Sequence, residues 1–168
     1  MNLFRGIALA ATMCALTACG FHMRGEVQLP AGMQRVHVQI ADRFSPLKRD
    51  VEAALKRSGA VVEANPGVGI AEIVISAVSL APVVRSVGAN AFVNEFSMVY
   101  HVELRIDGAD GKTLLAPEAI EHSRDYTFDQ SQAIGSNAEQ DEIRKEMERD
   151  MVQAIMRKVE AAEHRLEP

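Results

Sequence analysis

From Arg35 the chain alternates in character, with Val36, Val38 and Ile40 separated by His37 and Gln39. That is the period of a half-buried strand and predicts one over 35–42. Ser45 then offers a capping oxygen and Pro46 suits the first helical position, while Leu47, Val51, Ala54 and Leu55 follow at helical spacing. Gly59 stands where a left-handed stop is wanted, so the helix spans 46–58. After the turn-forming Asn65-Pro66-Gly67, the Val- and Ile-rich run 70–87 predicts a long second strand. A reversal at Gly88-Ala89-Asn90 leads into Phe96, Met98, Tyr100, Val102, Leu104 and Ile106, successive alternate positions of a third strand.

Asp107 to Gly111 is a Gly/Asp turn of the hairpin kind, opening a fourth strand that passes Pro117 and reaches Phe128. Tyr126 and Phe128 share its better apolar face. Ser136 and Asn137 each stand three residues before Glu139 or Gln140, so either register gives a capping box. The helix they open runs over 138–165, with Ile143, Met147, Met151, Ala154, Ile155, Val159, Ala162 and Leu166 in one stripe.

The order β-α-β-β-β-α allows a right-handed βαβ crossover followed by an antiparallel meander. One sheet and two amphipathic helices bury their apolar faces most simply in two layers. The expected fold is an α+β two-layer sandwich, a four-stranded mixed sheet with two helices on one face, forming a single domain over 35–168. Val102 and Leu104 should face the helices with Met147, Met151 and Ile155.

Ahead of this domain the pattern changes. One positive charge at Arg5 precedes an uncharged, mainly apolar run from Ile7 to Ala18. It is shorter than the roughly 20 apolar residues of a spanning helix and reads as a targeting peptide. It ends Leu16-Thr17-Ala18-Cys19-Gly20, which resembles the lipobox of bacterial lipoproteins. That resemblance implies a signal peptide over 1–18, lipidation of Cys19, and a lipidated tether over 19–34. Cys14 would leave with the signal, so the mature chain could form no internal disulfide. Gly20 after the cysteine, rather than Asp, is consistent with the outer membrane.

Composition supports an ordinary core, with 48% hydrophobic and 24% charged residues. A net charge of -5 argues against nucleic-acid binding, which relies on a basic surface. The histidines at 22, 37, 101, 122 and 164 include no i, i+4 pair, so no metal is expected. No G-x-S-x-G elbow or P-loop is present, and the expectation is a protein with no catalytic residues and no cofactor. The carboxylates between Glu139 and Asp150 read as a solvated helix face, with Asp141 and Lys145 an i, i+4 pair. Arg85, Arg105 and Arg124 lie on strands, where they either meet an anionic ligand bidentately or guard sheet edges.

Three separated stretches carry a wider resemblance: Cys19-Gly20-Phe21-His22-Met23-Arg24-Gly25, the run Asn90 to Met98 ending Asn94-Glu95-Phe96-Ser97-Met98, and Ala138 to Met147. They are similar, in that order, to the mature start, central strand and last helix of the lipopolysaccharide-assembly lipoprotein (LptE) family, the E component of the outer-membrane lipopolysaccharide transport translocon. The resemblance implies a helix-on-sheet plug inside the β-barrel of the partner D subunit. It implies help with that barrel's assembly, and binding of lipopolysaccharide on its way to the outer leaflet. The site would be the cell outer membrane, lipid-anchored on the periplasmic side.

Family members can carry basic residues in the hairpin before the central strand and just before the last helix, where this chain has Ala89 and Ser136. Arg85 and Arg124 are the lipopolysaccharide-binding candidates in their place. The competing expectations are a stand-alone lipid-anchored periplasmic lipid-binding carrier, which needs an enclosed apolar cavity, and a lipid-anchored hydrolase.

Overall fold

The structure is a computed structural model that describes residues 29, 30, 32–41, 45–87, 93–127 and 133–163. Its elements are β1 (Arg35–Ile40), α1 (Pro46–Arg57), β2 (Val61–Glu63), β3 (Ala71–Val87), β4 (Val93–Asp107), β5 (Thr113–Thr127) and α2 (Ala133–Glu163). The strands form one mixed sheet in the order β2-β1-β3-β4-β5, with both contacts of β1 parallel and the rest antiparallel. This is the expected α+β sandwich, with five strands where four were expected. The added strand, β2, is three residues long. It exists because β1 has a free edge to pair with, and Val61 N–H donates to the Gln34 carbonyl across 2.8 Å.

Helix α1 starts with Pro46 at its first positions, but Ser45 gives no side-chain cap and is buried. Its end is a Schellman motif. Ala60 N–H donates to Leu55 O at 3.0 Å and Gly59 N–H to Lys56 O at 3.1 Å, with Gly59 at φ 89. Helix α2 begins at Ala133, ahead of the caps expected at Ser136 and Asn137, which lie inside it. The reversal at 88–90 and Phe128 lie outside the described residues.

The core is the layer between the sheet and the helices. Val36, Val38, Ile73, Ile75, Val102, Leu104 and Ile106 from the sheet are buried there with Leu47, Val51, Leu55, Met147, Met151, Ile155 and Val159. Met33, ahead of β1, is fully buried in the same cluster. Alternation along β4 is as expected: the even positions 98–106 are buried, while Glu103 and Arg105 are exposed on the other face.

Bulges change which residues of the neighbouring strands share that face. Ile75 pairs with Leu104 but Ala77 pairs with Glu103, so one residue is inserted at Ser76. The buried positions of β3 are odd before the insertion, whereas after it the even Val78 and Leu80 lie opposite Val102 and Tyr100. Ser76 points to the open face and donates to Glu103 Oε2 at 3.1 Å. A second irregularity, between Leu104/Glu118 and Ile106/Leu115, takes up Pro117 in β5. Among the described residues β5 has no partner on its outer side, so a proline that cannot donate is tolerated there.

Candidate ligand and partner surfaces

β3, β4 and β5 are each 15 or 17 residues long and run together from the Asp107–Thr113 turn to the far end, where β3 reaches 87 and β5 reaches 127. Phe96 and Tyr126 are cross-strand partners at that far end, their rings stacked with centroids 5.5 Å apart and planes at 14°. Such aromatic pairs add to sheet stability and fix local register. Burial raises the Tyr126 hydroxyl pKa above its ordinary value.

The two arginines expected to bind ligand are both at this end, on opposite faces. Arg124 pairs with Met98, whose side chain is buried against the helices, and so points toward α2. Its guanidinium is gripped by Glu146, and its Nη2 donates to Asp150 Oδ2 at 3.1 Å. Glu146 and Asp150 are one helical turn apart, so they present two carboxylates on one line of α2. Arg85 instead reaches Asp125, with 3.6 Å between Nε and Oδ1 and both side chains more than half exposed. Asp125 is next to Arg124 in sequence and therefore on the other face of β5. Arg85, Glu95, Asp125 and Tyr126 line a cleft of about 480 Å3.

Arg105, also considered for anion binding, is at the opposite end of the sheet and its Nε is 2.9 Å from Asp107. The three strand arginines therefore form no common cluster. Each has a carboxylate partner, and none of these partnerships follows the sequence spacing that would have revealed it, apart from the short Arg105–Asp107 step. On α2, Lys145 lies 3.6 Å from Glu142 rather than with Asp141, and Arg149 shares the same carboxylate at 3.4 Å. Lys158 pairs with Glu118 of β5, a second tie between helix and strand. Cys19 and Ala89 lie outside the described residues.

Between the two ties sits His122, whose Nε2 is buried with no hydrogen-bond partner. Its cross-strand neighbour is Tyr100, 3% exposed. Burial, and after it the negative charges of Glu148 and Asp50, push the Tyr100 hydroxyl pKa up to about 12. At the other end, a cleft of about 830 Å3 lies between the 66–70 loop and the 107–113 turn. Among the described residues no group of three or more histidines, cysteines or acids is placed to hold a metal ion. No described helix is long and apolar enough to cross a membrane.

Fold and surface define a helix-on-sheet sandwich whose three strand arginines are each paired with a carboxylate. The chain belongs to the lipopolysaccharide-assembly (LptE) family, which it matches over residues 33–159. It is similar to the LPS-assembly lipoprotein LptE of Pectobacterium atrosepticum, 26% identical over 156 residues that cover 91% of this chain and 83% of that protein. Among solved structures it is similar to an uncharacterized lipoprotein B from Nitrosomonas europaea, with TM-score 0.70 and 29% identity over 84% of this chain and 91% of the other. The rare lipoprotein B of Shewanella oneidensis shares the fold, with TM-score 0.69 and 22% identity, covering 80% of this chain and 99% of that one. Membership in the family supports a role in lipopolysaccharide assembly.

Proposed function

We propose that the chain is a lipid-anchored outer-membrane subunit of the lipopolysaccharide translocon, working by contact rather than catalysis. Residues 1–18 are removed as a signal peptide, Cys19 carries the acyl chains on the periplasmic side, and 19–34 tether the domain. The domain plugs the β-barrel of the D subunit and helps it assemble. It binds lipopolysaccharide bound for the outer leaflet, with Arg85 and Arg124 meeting its phosphates. Arg85 is the more available of the two, because Arg124 would have to share its guanidinium with Glu146 and Asp150.

The observation that carries this reading is the one-sided construction of the sandwich. Its interior is filled by side chains from both layers, while the face of the sheet away from the helices is lined by exposed residues such as Ser79, Ala81, Val83, Glu103, Arg105 and Ser123. A lipid carrier needs an enclosed apolar cavity of several hundred Å3. A plug needs a firm body and a broad adhesive surface, which this layout supplies.

The test is to isolate the tagged full chain from detergent-solubilised outer membranes. A large β-barrel should accompany it in constant ratio. A chain that emerges alone, yet loaded with lipid, would replace the plug by the carrier.

A further inference from the structure

A second cationic feature lies on the helix layer, away from the strand arginines. Asp50, Ala53 and Arg57 form one stripe of α1, and Arg149, Val152 and Gln153 one stripe of α2, by the three- and four-residue spacing of helix neighbours. The stripes face one another across a cleft of about 260 Å3. Val152 is 9% exposed and, with Ala53, gives the cleft an apolar part. Two guanidiniums and one side-chain amide supply its donors.

The charges around this cleft do not cancel. Asp50 is the one acid that lines it, and its Oδ1 is already 3.1 Å from Nε of Arg49. Glu52 lies 3.8 Å from Lys48. Glu142 is shared between Arg149 and Lys145, and its 3.4 Å contact with Arg149 is at the long end for a charge-assisted bond. Arg57 has no carboxylate partner among the described residues. In a chain of net charge -5, two arginines thus converge on one cleft with a single acid that another arginine has claimed.

We infer that the α1–α2 cleft is a binding site for a phosphate group. Guanidiniums match the geometry of phosphate oxygens bidentately, and two of them suit a dianion better than a single carboxylate. The Gln153 amide can donate a further hydrogen bond, and the Ala53–Val152 surface can lie against carbon attached to the phosphate. The same chemistry is offered by a lipid phosphomonoester and by free inorganic phosphate. The site is separate from the Arg85 end of the sheet and does not depend on the role given to Arg85 and Arg124. A simpler account of Arg57 is that it stabilises the C-terminal end of α1, where the helix dipole favours a cation.

Calorimetric titration of the full chain in a neutral maltoside detergent at low salt separates these accounts. The probes are inorganic phosphate, a short-chain phosphatidic acid, and a short-chain phosphatidylcholine as the zwitterionic control. Phosphatidic acid should bind more tightly than phosphatidylcholine. Arg57→Gln and Arg149→Gln should each weaken it about tenfold, the scale of one lost charge-assisted hydrogen bond. Arg105→Gln, which removes the same charge elsewhere, should leave it unchanged. Binding of inorganic phosphate with the same variant pattern supports a site satisfied by the free ion; binding of the lipid alone supports a headgroup site. Melting curves recorded in parallel report the helix end. Arg57→Gln that lowers the melting temperature while binding is untouched overturns the inference, as does equal weakening by Arg105→Gln or no binding of either anion.

Discussion

Arg124 of β5 donates from Nη2 to the Asp150 carboxylate of α2 across 3.1 Å, joining the edge strand of the sheet to the long helix. The residues are separated by 26 positions in sequence. The contact assigns a structural task to an arginine that the sequence offers as a ligand contact, and the two roles can be measured separately. Both side chains are more than two-fifths exposed. Their coupling in a double-mutant cycle of Arg124→Gln and Asp150→Asn should therefore be about 0.2–1 kcal/mol. Arg85→Glu combined with Arg124→Glu should weaken lipopolysaccharide binding more at low salt than at high, because exposed charges are screened. Association with the barrel should survive. Normal lipopolysaccharide binding with loss of the barrel would assign these arginines to the protein interface.

Strand faces are tested at adjacent positions of β4. Leu104 is 1% exposed among the helix-facing residues, whereas Glu103 lies on the open face and accepts a hydrogen bond from Ser76. Leu104→Ala should cost about 2–5 kcal/mol, while Glu103→Ala should cost under about 1 kcal/mol, since it removes one exposed hydrogen bond. Coincident denaturation curves for the two variants would contradict the assignment of faces.

Alkaline stability should report the buried Tyr100. Its folded pKa of about 12 lies above the unfolded value of 10.0, so the folded state holds this proton more tightly. Stability is then undiminished by this group below pH 10 and falls as pH rises from about 10 to 12. A shift of this size corresponds to roughly 2–3 kcal/mol. Tyr126, whose pKa is raised in the same direction, adds to the trend. Tyr100→Phe should flatten the decline in chemical denaturation measured across this range; an unchanged slope would show that Tyr100 ionises as freely folded as unfolded.

Anchoring depends on Cys19. One acyl chain holds a protein to a membrane only marginally, whereas two or more hold it stably. The multiply acylated protein should stay with the membrane fraction through high-salt washing, and Cys19→Ala should yield a soluble or uncleaved form. Undiminished membrane retention of a cleaved Cys19→Ala chain would remove the lipobox from the account.

Two solved structures with this fold are 22% and 29% identical to this chain, so the fold tolerates wide change in sequence. What must persist is periodicity. Burial on one side of a strand repeats every two residues, and on one side of a helix about every three and a half, and both are local properties of the chain. For that reason α1, β3, β4 and the two-layer arrangement were legible from Val36 to Val159 without a structure. The Schellman end at Gly59 was legible for the same reason, since a left-handed residue at a helix terminus is a local requirement.

Tertiary structure decided what the local pattern leaves open. Val61–Glu63 becomes a strand only because the edge of β1 is beside it, and no three-residue pattern announces that. The insertion at Ser76 changes the inward positions of β3 from Ile75 to Val78, a phase break interpretable only against the register of β4. The start of α2 at Ala133 lies ahead of Ser136 and Asn137, so the helix opens earlier than the capping pattern predicts. The partners of Arg124 and the placing of Arg57 and Arg149 along one cleft depend on how helices lie on the sheet and on each other. Side-chain type and spacing set which faces are buried, but long-range packing sets which charges meet. The sequence by itself therefore determined the layers and their faces, while only the folded chain decided which arginines are held by carboxylates from distant parts of the chain.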